Sequence, residues 1–275
     1  MIDFQGYGND KMVVLTQPKN ASRVCQTWFG EDGKSIKIDT NAKKAYSEYT
    51  THSELVSDLN KLISKTSKKD LFLFYRNPIE RFKSGVYQEF VLSFSKSDSP
   101  SAWFALHMKD GSDRFYNYII DTNLLWSNDE IEDEFKEQLQ DVIDVWLRWF
   151  FNRTNLSFTH TSNYLHALYS YTQLFGDDKL NLIDIGDIDV ELIFKQYIDE
   201  IPKSKWDWNF KRNEKGQIIR ETLKNIEIRD MINQSIKNNS NFQRLIDIHL
   251  KTEFYFYELL KEHNKNIISI KNLDN

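Results

Sequence analysis

Leu71-Phe72-Leu73-Phe74-Tyr75 is a run of large apolar side chains bounded by charge on one side and by Arg76-Asn77-Pro78 on the other. It constrains the fold more than any other stretch, because so short and punctuated an apolar run reads as a buried strand that stops at the proline turn. From Pro78 onward, Ile79, Phe82, Val86 and Phe90 recur every three or four residues, with Pro78 at the favoured first helical position. The unit is strand, sharp turn, helix. A second such unit lies upstream: residues 11–17, rich in β-branched and apolar side chains, end at Pro18, and Ser22 to Phe29 begin a helix. Two strands alternating with helices imply a parallel sheet, whose ligand crevice lies beyond the carboxyl ends of the strands where both turns sit.

The rest reads as largely helical. Glu54 to Ser64 carries Leu55, Leu59, Leu62 and Ile63 at helical spacing with Ser53 as N-cap. Asp129 to Phe151, capped by Ser127 or Asn128, and Asn241 to Glu262 are long amphipathic segments whose aromatic stripes read as core packing. Nine glycines and four prolines in 275 residues disfavour turn-dense all-β designs. With 40% hydrophobic residues, no internal repeat and no Gly/Ser/Pro-rich linker, residues 1–275 are expected to form a single domain.

Thirty-six basic against 41 acidic residues give a net charge of −5, so no global field attracts nucleic acid or an anionic membrane, and any anion site must be local. The single cysteine, Cys25, cannot form an internal disulfide, which points to a reducing cytoplasm. The start, Met1-Ile2-Asp3-Phe4-Gln5-Gly6, has no secretory pattern, and no apolar run approaches the ~18 residues of a membrane span. A soluble protein is expected. The six histidines, Cys25 and the carboxylates show no metal-ligand spacing.

Two turns carry the chemistry. In Gln17-Pro18-Lys19-Asn20-Ala21-Ser22-Arg23-Val24, a strand feeds a helix N-terminus, so free backbone N–H groups, the positive dipole end and the Lys19 charge converge into an anion cradle. Gly33-Lys34-Ser35 ends like a Walker A loop, but Trp28 stands where its first glycine belongs. In the second turn, Arg76 sits at the strand's carboxyl end and Ser84 two helical turns later, where a hydroxyl and a guanidinium share an anion. Arg81 and Lys83 read as a solvated basic face of the same helix.

Together the turns resemble the cofactor signatures of sulfotransferases that use 3′-phosphoadenosine-5′-phosphosulfate, nearest to the Golgi-type carbohydrate sulfotransferases. The matching segments are Pro18-Lys19-Asn20-Ala21-Ser22 and Arg76-Asn77-Pro78-Ile79-Glu80-Arg81-Phe82-Lys83-Ser84. The acidic-aromatic stretch Thr252-Glu253-Phe254-Tyr255-Phe256-Tyr257 echoes a weaker C-terminal feature. The resemblance implies an α/β fold with a P-loop-like three-layer core, a short parallel sheet and a helical C-terminal half. It also implies that Pro18 to Arg23 grip the 5′-phosphosulfate and that Arg76 and Ser84 bind the 3′-phosphate, with adenosine 3′,5′-bisphosphate as product. Ala21 stands where glycine is commonest, and Arg23 replaces a second hydroxyl donor. Golgi members carry a membrane anchor, which is not read here, so a different compartment is expected.

Sulfuryl transfer to a hydroxyl needs cationic charge on the leaving oxygen, which Lys19 supplies, and a base for the acceptor proton. The resemblance puts that base at His52, with Glu48, Glu54 and His160 as further candidates. Histidine's ordinary pKa of about 6.5 suits proton removal near neutrality. The acceptor is expected to be a carbohydrate hydroxyl, with Trp103, Trp126, Trp206 and Trp208 as candidates for stacking on sugar rings. Lys203, Lys205, Lys211 and Arg212 are candidates for a basic rim. Two rival readings stay open: an ATP- and Mg²⁺-dependent small-molecule or nucleoside kinase, and a non-catalytic glycan- or nucleotide-binding protein.

Overall fold

The computed structural model describes residues 5–8, 11–16, 22–29, 64, 70–95, 118–119, 122, 124–125, 127–153, 162–175, 180–188, 190–198 and 223–273. In chain order the elements are β1 (Gln5–Gly8), β2 (Met12–Thr16), α1 (Ser22–Phe29), β3 (Asp70–Tyr75), α2 (Pro78–Ser95) and α3 (Asp133–Arg153). There follow α4 (Ser162–Phe175), β4 (Leu180–Asp184), α5 (Val190–Tyr197), α6 (Ile226–Asn238) and α7 (Ser240–Leu273). The fold is mixed α/β and mostly helical. Among the described residues no helix is long and apolar enough to cross a membrane.

The chain groups into two compact units, one of Met1–Arg81, Phe158–Trp206 and Leu250–Asn275, the other of Phe82–Ser157 and Asp207–His249. The first holds the sheet, in the order β1-β2-β3-β4. β2, β3 and β4 run parallel, with Val13 opposite Leu71 and Tyr75 opposite Asp184, and β1 joins antiparallel to β2. The β1–β2 turn depends on Gly8, since a Cβ there would fall 2.5 Å from the Met12 carbonyl oxygen.

Residues 71–75 are apolar without alternation because both faces of the sheet are covered. Leu71, Leu73 and Tyr75 join Val13 and Leu182 against Leu165 and Leu168 of α4 and Tyr257 and Leu260 of α7. Phe72 and Phe74 point the other way, with Met12 and Val14, onto Cys25, Trp28 and Phe29 of α1 and Val190 and Phe194 of α5. Buried among these, the Cys25 thiol has its pKa pushed far up by desolvation.

The second unit is helical, and its core is aromatic. Trp146 is fully buried, stacks on Phe150 at 4.9 Å, meets Phe90 edge-on at 5.1 Å and donates from Nε1 to Ser93 Oγ at 2.7 Å. Phe151 stacks on Phe242 at 4.4 Å, and Ile228, Ile232 and Ile236 bury one stripe of α6.

Helix α3 begins at Asp133 rather than at Asp129. Asn128 Oδ1 accepts from Ile226 N at 3.3 Å, the Asp129 carbonyl accepts from Asn225 Nδ2 at 3.1 Å, and Ile131 N donates to Glu227 Oε2 at 3.2 Å. These bonds hold residues 128–131 against the N-terminus of α6, where Asn225 is the cap, so Asn128, one of the two residues expected to cap α3, serves α6 instead, while Ser127 Oγ accepts from Asp129 N at 3.4 Å.

Candidate functional site

Adjacent parallel strands β2 and β3 both deliver their chains to the same end of the sheet. β2 ends at Thr16 and α1 starts at Ser22; β3 ends at Tyr75 and α2 starts at Pro78. Neighbouring strands lie about 5 Å apart, so the two exits open side by side. Of the residues singled out in the first turn, Ser22 and Arg23 open α1, and nothing is described of their side chains; Pro18, Lys19, Asn20 and Ala21 lie outside the described residues. His52, Glu48, Glu54 and His160 lie outside them too, as do Trp103, Trp126, Trp206, Trp208 and the basic residues 203–212. The segment expected to be helical over Glu54–Ser64 is described only at Ser64.

The second turn is fully described. Asn77 is the N-cap of α2: its Oδ1 accepts from Ile79 N at 2.9 Å and from Glu80 N at 3.4 Å, while its carbonyl accepts from Arg81 N at 3.0 Å. Pro78 has no N–H, so the cap occupies the amides of this helix end. An anion here is therefore met by side chains and by the helix dipole rather than by backbone donors. Arg76 is half-buried at the carboxyl end of β3, and among the described residues no carboxylate pairs with it. Ser84 is half-buried on α2.

Arg81 is not on a solvated face. It is 5% exposed, and its Nη2 lies 3.2 Å from both carboxylate oxygens of Glu253, which is fully buried. The expectation of a solvated basic face fails there because the first turn of α2 packs under α7, and a guanidinium placed so needs a carboxylate partner. Desolvation lowers the Arg81 pKa, and Glu253 opposes that shift. Lys83 is half-buried.

Around the same strand ends, α7 presents one polar stripe. Glu253, Tyr257, Lys261 and Asn264 recur at three- and four-residue spacing, so they share a helix face. Tyr257 donates to Asp184 Oδ2 at 2.7 Å, and Gly186 N donates to Asp184 Oδ1 at 3.0 Å. Lys261 Nζ lies 3.5 Å from Asp187 Oδ2, and Asn264 Nδ2 donates to the Leu182 carbonyl at 3.0 Å. Sequence reasoning marked Thr252–Tyr257 as acidic-aromatic but did not find these roles. The available signal was the recurrence of Glu253, Tyr257, Lys261 and Asn264 every three or four residues along a helix expected to pack into the core.

Burial first, and then the Asp184 carboxylate, raise the pKa values of Tyr75 and Tyr257 above the ordinary 10.0. The folded chain therefore keeps protons that the unfolded chain releases near 10.0, so this contribution to stability is intact below that pH and is lost as pH climbs through the raised values. In an absorbance titration, two of the thirteen tyrosines are expected to ionise only together with loss of the circular dichroism signal. Ionisation of all of them with the fold intact would contradict the arrangement.

Clefts of about 360 and 500 Å³ flank Gln140 and Gln234 in the helical unit, and none of the sequence-predicted site residues lines them. Among the described residues no group of three His, Cys, Asp or Glu side chains is placed to hold a metal. Comparison with known protein families, with curated proteins and with solved structures finds no match to this chain.

Proposed function

We propose that the protein is a sulfotransferase with a P-loop-like core that moves a sulfuryl group from 3′-phosphoadenosine-5′-phosphosulfate to a hydroxyl, on a carbohydrate acceptor. The observation that carries this reading is the pairing of β2 and β3: the two turns with sulfotransferase-like wording leave adjacent parallel strands at the same end. Of these, the second ends in a half-buried Arg76 beside a helix N-terminus. A nucleotide phosphorylated at both its 5′ and 3′ positions needs two anion sites on one crevice, and that is what such an arrangement offers.

In this reading Lys19 neutralises charge on the leaving phosphate, while Pro18, Asn20, Ala21, Ser22 and Arg23 form the loop around the phosphosulfate. Arg76 and Ser84 hold the 3′-phosphate. As the bridging S–O bond breaks and the acceptor oxygen bonds to sulfur, His52 takes the acceptor proton, and adenosine 3′,5′-bisphosphate leaves.

Thermal unfolding with adenosine 3′,5′-bisphosphate tests the reading, with ATP–Mg²⁺ as the control. Ligand at about 100 times its Kd is expected to add about 2.7 kcal/mol of apparent stability, a rise of a few degrees in Tm. In Arg76→Ala that rise is expected to shrink at the same ligand concentration. No response to the bisphosphate, or a response to ATP–Mg²⁺ alone, sinks the proposal, the latter in favour of a kinase.

A further inference from the structure

We propose that Glu253 is a positioning residue for the anion site at the end of β3, acting through Arg81 on the turn that carries Arg76. This rests on the reading of Arg76 given above.

The turn is pinned on both sides of Arg76. Before it, the Tyr75 carbonyl accepts from Ile185 N at 3.0 Å, which locks the end of β3 to the turn after β4. After it, Asn77 caps α2, and Arg81 in the first turn is gripped through Nη2 by both oxygens of Glu253 at 3.2 Å. Arg76 is the residue left between the two pins. A fully buried carboxylate facing a guanidinium that is 5% exposed is costly to desolvate, and a well-packed apolar pair is often at least as stable. Such a pair fixes geometry more than it adds stability, because Arg81 donates from one nitrogen, Nη2, to both carboxylate oxygens, which sets where the two buried side chains meet.

The grip comes from a fixed element. On the same face of α7, Tyr257 bonds to Asp184 and Asn264 to the Leu182 carbonyl, so Glu253 is anchored to the sheet whose end it serves. The division of labour between the two arginines follows. Arg81 is compensated inside the protein, while Arg76 keeps its charge for a ligand.

The test uses the full chain with Glu253→Gln, which keeps the shape and removes the charge, and Glu253→Asp, which keeps the charge on a shorter arm. Leu250→Ala is the control: it opens a cavity beneath the same helix at a fully buried position and removes no group bonded to Arg81. Without ligand, hydrogen exchange at Ile79, Glu80 and Arg81 is expected to quicken in Glu253→Gln relative to Leu250→Ala. The Kd for adenosine 3′,5′-bisphosphate is expected to rise about tenfold or more in Glu253→Gln, because misplacing a binding group by about an ångström suffices for such a loss. Leu250→Ala should change it less than about twofold, and Glu253→Asp should recover part of the loss.

Equal exchange in Glu253→Gln and Leu250→Ala overturns the grip itself. Faster exchange with an unchanged Kd overturns the positioning role while leaving the sulfotransferase reading intact. If the wild-type protein does not bind the bisphosphate, the functional reading falls and takes the positioning role with it, and the exchange result then stands as a statement about the fold alone.

Discussion

Trp146→Ala is expected to lower the unfolding free energy by about 3–5 kcal/mol, the cost of emptying a large buried aromatic site. Trp146 is fully buried: Phe150 stacks on one face, Phe90 meets it edge-on, and Ser93 accepts its indole N–H at 2.7 Å. Truncation removes this contact area and leaves the Ser93 hydroxyl, itself bonded to the Glu89 carbonyl at 2.9 Å, without its indole donor in a buried site. Trp146→Phe keeps a ring for Phe90 and Phe150 and loses the N–H, so a smaller loss is expected. Equilibrium denaturation followed by circular dichroism measures both. A loss below about 1 kcal/mol in the alanine variant, close to what surface positions show, would mean that the aromatic core of the helical unit is not packed as described.

Lys19→Ala is expected to cost about 100- to 1,000-fold in kcat, with a much smaller change in affinity for adenosine 3′,5′-bisphosphate. The reason is where charge appears during transfer. The bridging oxygen gains negative charge as the S–O bond breaks, so a cation aimed at that atom stabilises the transition state more than the bound donor. In the proposed reading Arg76 meets the 3′-phosphate, whose charge does not change during the reaction, so its loss is expected in Kd rather than in kcat. Steady-state kinetics on the two variants separates the roles. Equal kcat in Lys19→Ala and wild type would remove Lys19 from the chemistry.

Much of the fold is legible where period and punctuation agree. Ser22–Phe29, the strand ending at Tyr75 and the helix from Pro78 are observed as read, because apolar spacing and a proline turn or a clean helix start marked the same boundaries. β1 and β4 were not legible. Gln5–Gly8 is too short and too polar to show a pattern, and Leu180–Asp184 carries Asn181 and Asp184 inside the strand. Asp184 is tolerated there only because Tyr257 and Gly186 N, distant or local partners that no pattern announces, bond to its carboxylate. The start of α3 was misplaced for the same kind of reason, since Asn128 and Asp129 bond to α6 nearly a hundred residues on.

The candidate site was legible as wording rather than as geometry. Arg76 and its turn stand where the sequence placed them, at the end of a parallel strand. Arg81 did not, because whether a helical arginine faces water or a carboxylate depends on which helix packs over it. That helix lies at the other end of the chain, as Glu253 shows.

The parallel pairing of β3 with β4 also sets an order of events during synthesis. Leu71 is made early, but its partner Leu180 emerges only after α2, α3 and α4 have been translated. Until then β3 is an open edge of large apolar residues with unpaired backbone groups, the kind of strand on which other chains template. The hairpin of β1 and β2 closes within a few residues and offers β3 one neighbour at once, leaving the β4 side uncovered. Nascent chains stalled between Tyr75 and Leu180 thus carry an apolar strand edge that β4 covers once it arrives.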